Sequence, residues 1–314
     1  MLDRKPHLDR RAIAIALACS LLWGLSQVAT KAALTEIGPL WQAGLRSMLA
    51  ALLLWLWARR RGVPLFERDG SLAGGLLAGT LFAAEFGCIF IGLQYTTASR
   101  ITVFIYLAPF VVALGMPFIA RSERLSAMQS VGLMLAFAAV AFAFAESFNA
   151  SPAAPQRWLG DTLGLLAALL WGATTLTIRA SRLATASAEK TLFYQLALSG
   201  LMLSLAAFVT GEPLPSAWSL RLIGLMGFQA MVVSFASYLL WFWLVRHYPA
   251  TLLSSFTFGA PLFGVMAGGL LLGEPITARL LLALASLALG VLIVNRRETA
   301  PRPIVPGASG TRQE

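Results

Sequence analysis

The chain has 314 residues, of which 58% are hydrophobic and only 12% are charged. A soluble domain carries about 25% charged and about 45–50% apolar residues, so this composition excludes a water-soluble globule and favours the bilayer as the solvent. The net charge of +10 does not predict nucleic-acid binding, because the basic residues fall between apolar segments and form no continuous stripe.

Ten apolar segments follow one another along the chain. Each has about 17–25 residues, which is enough to cross about 30 Å of hydrocarbon as a helix. Helices are expected rather than strands, because a segment in lipid must satisfy its own backbone hydrogen bonds. The segments cover residues 12–34, 40–58, 72–94, 99–120, 126–145, 161–181, 189–209, 219–243, 250–272 and 277–295.

The basic residues between the segments predict the orientation. They are concentrated on one side of the membrane and sparse on the other. By the positive-inside rule the rich side is cytoplasmic, which puts both termini in the cytoplasm and requires an even number of spans. We therefore predict an all-α integral membrane protein of ten transmembrane helices with both termini in the cytoplasm. A periplasmic linker is expected over 146–160 and a disordered cytoplasmic tail over 296–314.

One sequence pattern occurs twice, about 150 residues apart. Leu21–Ala33 reads LLWGLSQVATKAA, and Leu169–Ser181 reads LLWGATTLTIRAS. Five spans lie from the start of one copy to the start of the other, and because five is odd the second copy enters the membrane from the opposite side. This predicts two inverted five-helix repeats, 12–145 and 161–295. Such repeats are typical of transporters, whose substrate site lies near the midplane between them.

Several motifs resemble those of one family. LLWG occurs at 21–24 and 169–172, YTTAS at 95–99 precedes Pro109, YPATLLSS at 248–255 precedes Pro261, and LLLGEPIT lies at 270–277. By these motifs the chain resembles the EamA branch of the drug/metabolite transporter superfamily, and within it the bacterial amino-acid exporters of the YddG type. The resemblance implies export of amino acids or other small metabolites. The first repeat departs from the pattern, because it ends in ARSERLS at 120–126 where the second has LGEPIT.

Glu85 is the sharpest single feature of the apolar segments, since it lies about midway along the third one. A carboxylate at mid-membrane costs about 2.5–3.5 kcal/mol on insertion scales, so such a residue faces a cavity or a partner. Glu85 is therefore interpreted either as a cation contact or proton-titrating group, or as half of a structural ion pair. Arg46 in the second segment is the candidate partner, since its long side chain can bridge the difference in depth.

Trp23 and Trp171 lie near the middle of their spans, whereas most membrane tryptophans belong to interfacial belts at span ends, where we also place Trp241. The two are interpreted as helix packing or as cavity walls, and an aromatic wall suits amino-acid side chains and organic cations. Further candidates for the cavity lie at one-turn spacings from polar or aromatic neighbours, with interhelical packing as the alternative. These candidates are Gln27, Tyr106, Thr175, Tyr238 and Phe258.

Two mid-span prolines and two boundary cations are candidates for conformational change. Pro109 and Pro261 each free a backbone carbonyl, which makes each either a static kink or a hinge for alternating access. Lys31 and Arg179 lie at opposite membrane faces in the inverted arrangement. They are interpreted as snorkelling anchors, or as gates that attract carboxylates.

We expect a secondary transporter that exports amino acids, including aromatic ones, and related small metabolites by alternating access. The chain lacks a GxxxxGK[ST] motif for ATP, and it lacks the clustered His, Cys and carboxylates of a metal site or an enzyme, so no cofactor is expected. The alternative is a proton-coupled exporter of drugs or aromatic cations. The expected partners are a small-molecule substrate and the lipid bilayer, and the oligomeric state stays open.

Overall fold

The computed structural model describes residues 9–119, 127–146, 155–248, 253, 256–257 and 259–294. Within these ranges the chain is helical, with short turns and no strand. The α-helices are α1 (Arg10–Ala33), α2 (Pro39–Arg61), α3 (Leu72–Tyr95), α4 (Ala98–Ile105), α5 (Ala108–Ile119), α6 (Ala127–Ala145), α7 (Arg157–Ala180), α8 (Ala188–Val209), α9 (Leu220–Gly227), α10 (Tyr238–His247), α11 (Gly259–Leu272) and α12 (Ala278–Val294). Phe258, residues 147–154 of the linker and the tail over 296–314 lie outside the described residues.

The described helices confirm an all-helical membrane protein. Seven helical stretches are long and apolar enough to cross a membrane, and three shorter apolar helices, Ser130–Ala145, Gly259–Leu272 and Ala278–Gly290, accompany them. All ten follow the order of the predicted segments. Two of the seven stretches combine neighbouring elements, since Ala98–Ile119 spans α4 and α5, and Leu220–Leu244 contains α9 and most of α10.

Corresponding helices of the two halves pack against each other in antiparallel pairs. Gly44 of α2 lies against Ser204 of α8, and Gly200 of α8 lies against Met48 of α2. The pairs α4–α11 and α6–α12 also pack together, and α1 contacts α11 just as α7 contacts α4 and α5. This exchange of partners is the packing expected of two inverted repeats.

The glycine of each LLWG motif is a point of close helix approach. A Cβ on Gly24 of α1 would lie 2.7 Å from both the Ala260 carbonyl oxygen and the Gly264 nitrogen of α11. A Cβ on Gly172 of α7 would lie 2.5 Å from the Val111 side chain of α5. The repeated motif therefore sets how the first helix of each repeat crosses a helix of the other repeat.

Two predicted spans are less regular than a single α-helix. The span predicted over 99–120 is broken at Tyr106 and Leu107, because Pro109 has no N–H to offer the Ile105 carbonyl. Pro109 lies within the first turn of α5 rather than in the middle of a helix, whereas Pro261 lies in α11 and follows further helical residues, Phe256 and Thr257. The span predicted over 219–243 contains a π-helix, Phe228–Ser237, which joins α9 to α10.

Candidate substrate site between the repeats

Arg46 of α2 and Glu85 of α3 lie in the interior of the bundle, with 2% and 5% of their surfaces exposed. The guanidinium carbon of Arg46 lies 4.2 Å from the centroid of the Phe86 ring and 5.1 Å from that of Phe90. Both distances are within cation–π range. Two aromatic faces of α3 therefore hold the charged end of Arg46 next to Glu85.

The polar atoms of this pair are not all used within the protein. Arg46 Nε and Nη2 and Glu85 Oε2 have no hydrogen-bond partner among the described residues. Arg46 packs on Phe86, which directly follows Glu85 on α3, and Tyr238 packs against the same buried cluster as Phe86 and Phe90. The partnership of Arg46 and Glu85 stays a prediction, and these three buried atoms are free to bind a third group.

Four aromatic residues from three helices and the α4–α5 break continue from this pair as a connected wall. The Trp171 and Tyr106 rings meet edge to face at 5.6 Å, and Tyr106 belongs to the buried cluster against which Tyr238 packs. The ring of Tyr238 lies 6.2 Å from that of Trp23, between ring centroids. The predicted residues Trp23, Tyr106, Trp171 and Tyr238 therefore come together at the interface of the two halves.

Trp241, which the sequence assigned to an interfacial belt, also packs in this wall. Its ring lies 5.2 Å from that of Trp23, edge to face. The physical reason is its spacing, since Trp241 follows Tyr238 by three residues and shares its face of α10. Trp23 is fixed further by its indole N–H, which donates to the Ser237 hydroxyl at 3.0 Å.

Three of the predicted site residues add less to the description of the site. Gln27 is buried beside the wall-forming face of α1, and its Oε1 has no hydrogen-bond partner among the described residues. The Thr175 hydroxyl donates to the Trp171 carbonyl at 3.1 Å, so it is used by its own helix. Phe258 lies outside the described residues.

A buried amide network lies beside the pair and was missed at the level of sequence. The Thr30 hydroxyl and the Gln42 amide donate to Gln229 Oε1 at 3.2 and 3.3 Å. Gln42 also donates to the Thr30 carbonyl at 3.2 Å. Gln42 Oε1, Gln229 Nε2 and Ser234 Oγ have no partner among the described residues. The sequence signal was an amide inside an apolar span, the same signal that selected Gln27.

The π-helix explains why these groups meet. Gln229, Ser234 and Ser237 all lie on it and are fully buried. Gln229 and Ser234 are five residues apart, which is one hydrogen-bonded turn of a π-helix, so both face the interior. Short π-segments within α-helices are frequent at functional sites.

Lys31, near the end of α1, binds the end of α3. Its ammonium donates to the Thr96 carbonyl at 2.7 Å and to the Leu93 carbonyl, at the end of α3. These carbonyls belong to the helix C-terminus, whose partial negative charge favours a cation. Both interpretations of Lys31, a snorkelling anchor and a gate, stay predictions. Its counterpart Arg179 has an exposed side chain at the end of α7.

The same end carries a buried ion-pair network between the two repeats. Arg100 of α4 pairs with Asp161 of α7 at 2.6 Å and with Glu146 at 2.9 Å, and the side chains of Arg100 and Asp161 are 5% and 0% exposed. Arg100 also donates to the Ala143 carbonyl at 2.8 Å, and the Thr96 hydroxyl donates to Asp161 at 2.6 Å. These bonds join α4, α6 and α7 to one another.

The chain is similar to known transporters along most of its length. It is 28% identical to the uncharacterized transporter YvbV of Bacillus subtilis, covering 91% of this chain and 92% of that protein. It is 24% identical to a protein of Escherichia coli named probable amino-acid metabolite efflux pump, covering 91% and 95%. A solved crystal structure matches the fold with a TM-score of 0.62 at 18% identity, covering 90% of this chain and 96% of the other.

A family model gives the assignment. The model of the EamA-like transporter family matches residues 10–145 and again residues 158–296. The two matches flank the linker and together take in nearly all of the described helices. The chain therefore belongs to the EamA-like transporter family.

Proposed function

We propose that this protein is a secondary transporter that exports amino acids, including aromatic ones, and related small metabolites across a bacterial inner membrane by alternating access. In this proposal ten helices cross the membrane, and both termini are cytoplasmic. Residues 12–145 and 161–295 are the two moving repeats, with hinges at Pro109 and Pro261. The observation that carries the proposal is the buried site at their interface, where charged groups and an aromatic wall lie together.

The site has the composition that an amino-acid substrate needs. Substrate sites of inverted-repeat transporters lie near the bilayer midplane between the repeats, and Glu85 lies in the middle of α3. A charged side chain is kept at such depth only at a cost, which supports a functional role for it. The name of the Escherichia coli relative, an amino-acid metabolite efflux pump, supports the same substrate class.

The test is transport of labelled amino acids in proteoliposomes, with and without a pH gradient. We expect movement of at least one amino acid, and we expect Glu85→Gln to lower transport per folded molecule more than it lowers folded yield. Glu67→Gln is the matched control, since Glu67 lies in an exposed loop between α2 and α3. Movement of no amino acid across the panel would overturn the proposal.

A second candidate is a proton-coupled exporter of aromatic cations or drugs. It is favoured by the contact between Trp23 and Tyr238 and by the carboxylate of Glu85, which together could take a cationic ring system. Arg46 argues against it, because its buried guanidinium would repel a cation next to Glu85. Competition by an aromatic cation but by no amino acid would favour this candidate.

A further inference from the structure

Arg46 offers free donors and Glu85 a free acceptor in the buried interior, and Arg46 packs on Phe86, which directly follows Glu85 on α3. Two nitrogen atoms of Arg46 and one oxygen atom of Glu85 are buried without a hydrogen-bond partner among the described residues. A buried charged group that lacks hydrogen bonds is costly, so the protein does not keep two of them for packing alone. A ligand that carries both a negative and a positive group would satisfy both.

The inverted symmetry shows that the fold does not need these charges. Gly44 and Gly200 occupy equivalent places, because each contacts the residue four positions after the other. Arg46 and Met202 follow these glycines by two residues, so Met202 is the counterpart of Arg46 in the second repeat. The helix packing around the two positions is equivalent, and in the second repeat the uncharged side chain of Met202 occupies the position of Arg46.

Glu85 has an uncharged counterpart as well. Glu85 lies ten residues before Tyr95, and Tyr238 lies ten residues before Tyr248. Tyr95 and Tyr248 begin the corresponding YTTAS and YPATLLSS motifs. Both charges therefore belong to the first repeat alone, where they break the symmetry at the interface.

The aromatic rings on α3 leave N–H groups of the guanidinium available. Phe86 and Phe90 contact Arg46 at cation–π distances of 4.2 and 5.1 Å, while its Nε and Nη2 have no hydrogen-bond partner among the described residues. A guanidinium offers its N–H groups in a planar fork, which matches the two oxygens of a carboxylate.

We propose that Arg46 and Glu85 form a zwitterion clamp, in which Arg46 binds the carboxylate and Glu85 the ammonium group of one α-amino acid. The inference rests on the proposed function and assigns the substrate contacts within it. Tyr238 packs against the buried cluster that contains Phe86 and Phe90, the rings on which Arg46 lies. The aromatic wall of Tyr238, Trp23 and Tyr106 receives the substrate side chain.

The test compares three probes of one shape on purified full-length protein. Phenylalanine carries both charges, phenethylamine carries only the ammonium group, and 3-phenylpropionate carries only the carboxylate. We expect phenylalanine to bind best, since either analogue leaves one buried charge unpaired. Loss of a charge-assisted hydrogen bond predicts that each analogue binds about 10- to 100-fold more weakly.

Variants separate the two halves of the clamp. Arg46→Gln is expected to weaken the binding of phenylalanine by about tenfold or more and to leave the binding of phenethylamine unchanged. Glu85→Gln should weaken the binding of both and leave that of 3-phenylpropionate unchanged. Ser199→Ala is the control. Ser199 lies on α8, and its hydroxyl contacts that of Ser47, the residue after Arg46 on α2, at 3.4 Å. If Arg46→Gln does not fold, Arg46→Lys keeps the charge but loses the planar fork, and the same selective loss for phenylalanine is expected.

The outcomes distinguish the clamp from the function on which it rests. An equal loss of affinity for all three probes in both variants would overturn the clamp. Transport of phenylalanine that is unaffected by either variant would also overturn it, and would leave amino-acid export intact. Binding of phenethylamine in preference to phenylalanine, with no amino acid transported, would overturn the proposed function itself.

Discussion

Ser99, at the start of α4, donates two hydrogen bonds to Glu274 of the second repeat, one from its backbone N–H at 2.9 Å and one from its hydroxyl at 2.6 Å. The other oxygen of Glu274 accepts from the Ala98 N–H at 2.7 Å. The GEP motif of the second repeat therefore caps a helix of the first. A carboxylate at this position satisfies N–H groups that have no partner within the helix and complements the helix dipole.

Replacing this cap should lower stability without touching the substrate site. We expect Glu274→Ala to cost about 1–3 kcal/mol, because it leaves two partly buried N–H groups unpaired. The measurement is the thermal midpoint of the detergent-solubilised protein followed by size-exclusion chromatography. Glu67→Ala, in an exposed loop, serves as control. Equal midpoints for the two variants would contradict the capping role.

The pair between Arg100 and Asp161 should be far more sensitive than a surface pair. Asp161→Ala leaves the buried Arg100 guanidinium without its closest partner, and breaking a buried pair in this way costs about 3–5 kcal/mol. Glu36→Ala removes the partner of Arg221, whose side chain is 57% exposed, and should cost at most about 1 kcal/mol. Folded yield and thermal midpoint of both variants measure the difference. Similar losses would contradict the assignment of the Arg100 network as a buried tie.

The sequence predicted the features that follow from the lipid environment and from the internal repeat. A segment in lipid must form a helix, so composition alone predicts an all-helical chain. The repeated LLWG motif pointed to Trp23 and Trp171, which do lie at the interface of the halves. Glu85 was found because a mid-span carboxylate is rare. Each of these signals can be read at a single position or from a simple spacing.

The rest depends on contacts between distant parts of the chain. Nothing in the residues of 219–243 predicts an i→i+5 hydrogen-bond pattern, so the facing of Gln229 and Ser234 was not foreseen. Trp241 was judged by its distance from the span end, whereas its packing is decided by Trp23 of another helix. Lys31 was judged as an isolated cation, although the carbonyl groups at the end of α3 bind it. Tertiary partners of this kind leave no local signal.

Gly24 should tolerate no side chain. An added Cβ would lie 2.7 Å from backbone atoms of α11, and backbone cannot move aside as a flexible side chain can. We expect Gly24→Ala to destabilise the protein by about 1–3 kcal/mol through overpacking. Gly224→Ala is the matched control, since a Cβ there meets no atom within 4 Å and alanine favours the helix. Thermal midpoints that fall equally would refute the close contact of α1 with α11.

The contribution of Asp69 should depend on pH in a defined direction. Hydrogen bonds from Ser71, whose backbone N–H lies at 3.0 Å, and from the Lys190 ammonium at 2.9 Å hold the pKa of this loop carboxyl well below its usual range. A folded-state pKa below the unfolded value of about 3.9 means that the stabilisation is present above that pH and is lost as the pH falls further. The thermal midpoint of Asp69→Asn should therefore lie below wild type by a constant amount from about pH 5 to about pH 8. The difference should shrink below about pH 4, and a difference that grows there would contradict the argument.

Trp23 should contribute to transport through its indole N–H as well as its ring. Trp23→Phe keeps an aromatic ring beside Tyr238 but loses the hydrogen bond to Ser237, worth about 1 kcal/mol or about fivefold in an equilibrium constant. We expect transport per folded molecule to fall by about that factor, and by more in Trp23→Ala, because the wall itself is then lost. Trp218→Phe, at a half-exposed position before α9, should leave transport unchanged. If Trp23→Ala transports as well as wild type in proteoliposomes, the aromatic wall does not border the substrate path.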